Sequence, residues 1–283
     1  MKILKLLPAL LVLAAAAPAP ADTPAFGELP DGAVSRSEMG PASEFVLYII
    51  FDPALAADRL PPGLRFRTLA EMSRGNPEIA EYLKDHPEHA GWAHSAFEII
   101  GSPNMTYDGV SARFGRSGGM AVWYAVATRL DKSDPRPRGY QEINLGTWLS
   151  DARLAAHMRQ RGYPADTANI SFTRSASGEV KGRLDIAGLH VRAYCRLTGE
   201  RLTPEWAKAG TYETIWNPAG GAPRFELVTY QGHVVEPCGE ARWWITGSAL
   251  LAKAYAGRAQ GGRLIADTEF ASGYVLKGGL YRP

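Results

Sequence analysis

The chain is poor in the residues that most often announce a chemistry. Its 283 residues include two cysteines, Cys195 and Cys238, six histidines and eight lysines. No Cys/His set has the spacing of a structural zinc site. A Gly-rich nucleotide loop, a Walker lysine and a G-x-S-x-G elbow are also absent, which removes the commonest nucleotide-dependent and hydrolase readings. Surplus charge is missing too. Lys2 and Lys5 lie in an N-terminal leader, and without them 29 basic residues face 29 acidic ones. A neutral chain has no electrostatic reason to seek nucleic acid or an anionic membrane, so neither is expected as a partner. Beyond the leader no run approaches the ~18 apolar residues of a spanning helix, so no membrane span is expected after cleavage.

What is present is enough for a packed core: 46% of residues are hydrophobic and 21% charged, which excludes wholesale disorder. Gly and Pro, 30 and 20 residues, point to many turns and short strands. Residues 1–21, MKILKLLPALLVLAAAAPAPA, combine a basic start, an apolar stretch of about a dozen residues and a small-x-small ending. They read as a signal peptide, with an uncleaved anchor as the alternative. The expected location is therefore periplasmic or secreted. In such a compartment Cys195 and Cys238 are read as a disulfide, closing a loop worth about 4 kcal/mol in chain entropy. Two buried thiols that never meet are the alternative; no His or Asn motif marks either as a nucleophile.

Residues 22–43, rich in Pro, Gly and Ala, read as an extended leader, and residues 44–283 as a single domain without internal repeats. Glu44–Phe51 (EFVLYIIF) reads as a buried strand, followed by a short helical turn capped by Asp52 with Pro53 at its start. Leu69–His86 has helical spacing broken at Gly-Asn-Pro. Strands are expected at 93–100, 110–114 and 120–129, and a charged loop at 131–139. A helix over 151–161 stops at Gly162-Tyr163-Pro164. Further strands are expected at 170–173, 180–186, 189–197, 225–235 and 241–248, with a short last strand at 274–276. The segments 250–256 and 263–271 carry weaker signals.

Several clusters could carry chemistry. His86, His89 and His94, with Asp85 and Glu88, are of metal-binding type, but Pro87 breaks a helix there and the spacing is not His-Glu-x-x-His. They read as a solvated polar loop, and no metal site is expected. Arginine outnumbers lysine nearly threefold, 23 against 8, and its planar fork suits carboxylates. Arg113 and Arg116 flank Gly115 ahead of Ser117-Gly118-Gly119, a turn that reads either as an anion cradle or as a hairpin with two solvated arginines. Trp243 and Trp244 are consecutive, so on a strand one enters the core and the other faces away, to solvent or to a ligand.

The order of these pieces resembles the acetoacetate decarboxylase superfamily. The resemblance runs through FVLYIIFDPALAADRLPPGL (Phe45–Leu64), RFGRSGGMAVWYAV (Arg113–Val126), Arg161-Gly162-Tyr163-Pro164 with the hairpin GEVKGRLDIAGLHVRAYC, then FELVTYQGHVVEPCGEARWW and SGYVLKGGLY. It implies an α+β, β-rich fold, a cone-shaped closed β-barrel with a few short helices enclosing a pocket. It also implies a lyase using a lysine whose pKa is lowered by a second lysine and by desolvation, so that it forms a Schiff base with a β-keto acid. The stretch matched to those lysines is His157-Met158-Arg159-Gln160-Arg161, without a lysine. Arg116 matches the family's active-site glutamate, and Ala42 falls near its arginine.

The resulting expectation is an exported protein that binds a small organic acid or carbonyl compound. Arg113, Arg116, Arg159 and Arg161 would hold a carboxylate, Tyr124, Trp243 and Trp244 would shape the wall, and His157 would serve as acid–base group. Lys181, on a strand expected to line the barrel, and Lys132 are the lysines that could replace the missing pair. A non-catalytic periplasmic carrier is the alternative: arginines and His157 converging inside a closed pocket would favour the enzyme, a pocket lined only by apolar side chains the carrier. No cofactor is implied, and a homo-oligomer is left open.

Overall fold

The computed structural model describes residues 25–102, 104–115, 118–130, 140–217, 222–259 and 268–281. Strand β1 (Ser35–Phe51) begins well before the apolar run that marks it in the sequence. Gly40-Pro41 reads as a strand breaker, but a register shift between Met39 and Ala42 accommodates the pair as a bulge. A 3₁₀ turn, Pro53–Arg59, follows, and Asp52 Oδ1 accepts the Ala54 N–H at its start. Then come β2 (Leu64–Phe66), α1 (Leu69–Met72), α2 (Pro77–Asp85) and a 3₁₀ turn at Pro87–His89. The chain continues through β3 (Ala93–Gly101), β4 (Met105–Tyr107), β5 (Val110–Ser111), β6 (Met120–Arg129), β7 (Tyr140–Leu149) and α3 (Ala152–Arg161). Next are β8 (Asp166–Thr167), β9 (Asn169–Arg174), β10 (Glu179–Ile186), β11 (Leu189–Leu197) and α4 (Glu205–Lys208). The remainder is β12 (Ala209–Trp216), β13 (Arg224–Gln231), β14 (Val234–Gly247), α5 (Leu250–Ala259) and β15 (Thr268–Tyr281).

Seven strands close on themselves in the order β1–β3–β6–β7–β12–β13–β15, and β15 pairs back to β1. All neighbours are antiparallel except β7 and β12. The result is a β-rich closed barrel with short helices outside it. A second layer, β9–β10–β11–β14, leaves the barrel where β14 pairs with β15 at Val234–Pro237. This layer packs on the barrel's outer wall. Alternate residues of β1 (Phe45, Leu47, Ile49, Phe51) point into the space between the layers with Phe97, Ile99, Val180, Leu184, Val191 and Trp243. The other residues of β1 face the barrel interior, so both faces of the strand are covered and it reads as a nearly continuous apolar run.

Besides the short β2, β4 and β8, two strands of the barrel itself escaped the sequence reading, β7 (YQEINLGTWL) and β12 (AGTYETIW). Their inward faces are polar, so they lack the apolar run that marks β1. The last strand is also far longer than Tyr274–Leu276, because glycines 273, 278 and 279 weaken its pattern. Gly278 is required by a close approach: a Cβ there would lie 2.4 Å from Glu226 Oε1.

Cys195 and Cys238 are bonded, S–S 2.04 Å, and tie β11 to β14 within the second layer. No described helix is long and apolar enough to cross a membrane.

Candidate active site

The barrel interior carries a polar belt. Each of the seven strands supplies one member: Glu44 (β1), Glu98 (β3), Tyr124 (β6), Glu142 (β7), Tyr212 (β12), Tyr230 (β13) and Tyr274 (β15). Register explains the ring. Glu44 lies opposite Ile100 and Glu98 two residues away; Tyr124 lies opposite Ala96, again two from Glu98. The same offset leads from Tyr124 to Glu142 through Asn144, and from Glu142 to Tyr212 through Thr214. It continues to Tyr230 through Val228, to Tyr274 through Leu276, and back to Glu44 through Ala42. A two-residue step at every seam keeps each side chain on the inner face while following the tilt of the strands. Gly210 leaves room for one member, since a Cβ there would lie 2.3 Å from Tyr230 Oη.

Hydrogen bonds link half of the ring. The Tyr274 hydroxyl donates to Glu44 Oε2 at 2.7 Å, the Tyr124 hydroxyl donates to Glu98 Oε1, and the Glu44 and Glu98 carboxyls bond each other. Burial pushes Glu44 up to about 7 against the stabilising bonds from Tyr274 and Glu98. Two carboxyls in contact share a proton far more readily than they both ionise. Glu142 is raised well above the ordinary carboxyl range by burial and then by the Glu44 charge. Its Oε2 is buried without a hydrogen-bond partner. Burial and the surrounding carboxylates raise Tyr124, Tyr212 and Tyr274 well above their ordinary range, and Tyr230 is pushed up to about 12. All four hydroxyls are therefore donors. His233 stacks on Tyr274 (4.2 Å between centroids) with Nε2 3.8 Å from Glu44 Oε1, and burial holds it down at about 4, neutral. His94, also held down at about 4 by burial, keeps Nδ1 without a partner.

Among the described residues no lysine or arginine belongs to the belt. Such a ring suits a neutral ligand with oxygen acceptors, whereas an anion would meet carboxyls and no cation. Chemically it offers carboxyls in one interior whose proton affinity burial raises, Glu44 to about 7 and Glu142 well above its ordinary range, the kind of environment in which like groups take up acid and base roles.

Of the described residues that the sequence offered as catalytic or substrate-binding, only Tyr124 joins the belt. Trp243 lies in the wall between the layers, edge-on to Phe45 at 4.9 Å, and Trp244 faces out, 52% exposed. Lys181 was expected to line the barrel, but β10 belongs to the second layer. Val180 and Leu184 take its inner face and Lys181 points to solvent, 3.5 Å from Glu179. The stretch before Gly-Tyr-Pro forms α3, outside the barrel. There the Arg159 guanidinium donates to the Ala165 carbonyl, Arg161 pairs with Asp108 at 3.0 Å, and His157 is half-buried with Nε2 unpartnered. Gly162 ends α3 in the left-handed region (φ 97°), and Tyr163 plugs one barrel end against Tyr107, Trp216 and Glu226. Arg113 is exposed and gives its backbone N–H to Asp151. Arg116 and Lys132 lie outside the described residues.

The missed members had one shared signal. Glu44, Glu98 and Glu142 are lone carboxylates inside EFVLYIIF, AHSAFEII and YQEINLG. A single acid within a strand covered on both faces needs a partner or a proton.

No family model and no curated protein sequence matches the chain. Among solved structures it is similar to an acetoacetate decarboxylase-like enzyme from Sphingomonas wittichii RW1, with 16% identity over 92% of this chain and 98% of that one, at a TM-score of 0.52. It is also similar to acetoacetate decarboxylase from Legionella pneumophila, with 14% identity over 93% of both chains and a TM-score of 0.52. At these identities the likeness speaks for architecture, and the closed barrel with its outer layer has the acetoacetate decarboxylase-like fold.

Proposed function

We propose that this protein is an acid–base enzyme that acts on a small neutral carbonyl compound held inside the barrel. The observation that carries the proposal is the belt itself, three buried carboxyls and four tyrosines converging on the barrel interior, with burial raising both Glu44 and Glu142. The Glu142 hydroxyl donates to the carbonyl oxygen, lowering the cost of negative charge there. The Glu44–Glu98 pair takes a proton from the adjacent carbon, and the same pair returns it or passes it to a leaving group. Proton removal beside a carbonyl is the first step of a lyase-type elimination, and its reverse completes an addition. No amine is needed, which accords with the absence of lysine from the belt. A convergent polar ring favours this reading over a carrier lined by apolar groups.

The leader at residues 1–21 and the Cys195–Cys238 disulfide support an exported protein working in an oxidising compartment.

The test is solvent-deuterium incorporation, read by NMR, into a panel of small ketones, aldehydes and diketones. Wild type should exchange the proton next to the carbonyl of at least one compound, and Glu44→Gln should slow this by 10²-fold or more. Equal exchange by wild type and Glu44→Gln on every exchanged compound would overturn the proposal, as would no exchange above buffer across the panel.

A further inference from the structure

A second cluster of titratable groups lies away from the belt, at the end of α2. His86 caps that helix, Pro87 starts the 3₁₀ turn, and Glu88 and His89 follow. His86 Nδ1 is 3.3 Å from Glu88 Oε1, and His89 Nε2 is 3.9 Å from the same oxygen. One ligand atom from each residue falls within 4.8 Å of the others. His89 is the fixed point. Its ring is 3% exposed, lies 4.2 Å from Trp92 between centroids, and bonds the Tyr82 hydroxyl through Nδ1 at 2.7 Å. In the tautomer whose Nδ1–H donates to Tyr82 Oη, the Nε2 lone pair is left on the side of Glu88. The Tyr82 partner then holds the ring direction in the way metal-bound histidines require.

We propose that His86, Glu88 and His89 form a binding site for a borderline divalent cation of the zinc type. Two imidazoles and one carboxylate match Zn²⁺, Co²⁺ or Ni²⁺, whereas Ca²⁺ and Mg²⁺ call for all-oxygen sets. Bonds of ~2.0–2.2 Å in a tetrahedron place ligand atoms ~3.3 Å apart. The His86–Glu88 pair is already at that spacing. The wider gaps close by rotation of Glu88, 62% exposed, and of half-buried His86 toward the fixed His89. The fourth position is left to water. A cation here would tie the C-terminus of α2 to the segment that enters β3, above the barrel end packed by Ile50, Leu69, Met72, Ile79 and Val126. The site is independent of the belt chemistry.

Titration of metal-free full-length protein with Zn²⁺ should show one equivalent bound with a micromolar dissociation constant. Co²⁺ should give visible d–d bands of a low-coordinate site. At a hundredfold excess over that constant, Zn²⁺ should raise the thermal midpoint by the mass-action increment. His86→Ala and Glu88→Gln, both at accessible positions, should each weaken binding by at least 10-fold and lose the cobalt bands. His190→Ala, at the unrelated His190–Asp185 pair, should leave both unchanged. No stoichiometric binding by wild type, or binding that survives His86→Ala and Glu88→Gln intact, would overturn the site.

Discussion

Glu44 and Glu98 hydrogen-bond each other from diagonal positions on neighbouring antiparallel strands, in a belt to which no described residue contributes a lysine or arginine. Tyr274 donates to Glu44 Oε2 and Tyr124 to Glu98 Oε1; the bond from Tyr274 favours the carboxylate, but burial outweighs it and raises Glu44 to about 7. This relationship governs the expected pH behaviour of the protein.

Glu44 titrates at about 7 when folded and near 4.5 when unfolded. The folded state therefore binds the extra proton between these values, and stability falls as pH rises from about 4.5 to about 7, by on the order of 3 kcal/mol for this group. His94 and His233 act in the opposite sense. Held at about 4 against an ordinary 6.5, they withdraw stability as pH falls from 6.5 toward 4. Glu44→Gln keeps the Tyr274 bond and removes only the first slope. Urea melts across pH 4.5–7 should show the variant gaining stability relative to wild type at every step upward; parallel profiles would refute the assignment.

Borohydride trapping with acetoacetate, pyruvate and related keto acids should leave no adduct on any lysine. Lys181 faces solvent from the second layer, and no described lysine enters the barrel. Lys181→Ala should also leave deuterium exchange unchanged. A mass increment localised to one lysine would bring Schiff-base chemistry back.

Reduction, or the double substitution Cys195→Ala with Cys238→Ala, should lower stability by up to about 4 kcal/mol, from the 43-residue separation that the bond spans. Because the bond lies in the second layer, exchange activity of the folded fraction should persist. Denaturant melts with and without reductant measure the first effect, and activity below the melting transition measures the second.

Asp151 serves two segments at once: Oδ1 accepts the Leu154 N–H at 3.0 Å, capping α3, and Oδ2 accepts the Arg113 N–H at 2.7 Å. Asp151→Ala should cost about 2 kcal/mol, the upper end for a lost cap. Asp151→Asn, which keeps one acceptor, should recover part of it. Calorimetry on the three proteins separates these outcomes.

Much of the architecture was legible in the sequence, because strands such as β1, β3 and β11 bury apolar residues in runs or strict alternation. Asp151 and Gly162 likewise mark the ends of α3 through capping and left-handed geometry. The site was far less legible. Its members sit one per strand, spread from residue 44 to residue 274, and only register brings them into a ring. Local clusters such as His157–Arg161 drew attention because their residues are adjacent, yet α3 carries them on the outside. Strands β7 and β12 went unseen for the same reason that they matter: the polar inner face that supplies Glu142 and Tyr212 erases the apolar signature.

The proposed chemistry needs Glu142, raised well above the ordinary carboxyl range by burial, to be a protonated acid at neutral pH. Infrared difference spectroscopy between wild type and Glu142→Gln at pH 7 tests it most directly. The account predicts a protonated-carboxyl C=O band in wild type that disappears in the variant, with a second band titrating near 7 that disappears in Glu44→Gln. A difference spectrum showing only carboxylate lost on replacing Glu142 would contradict it.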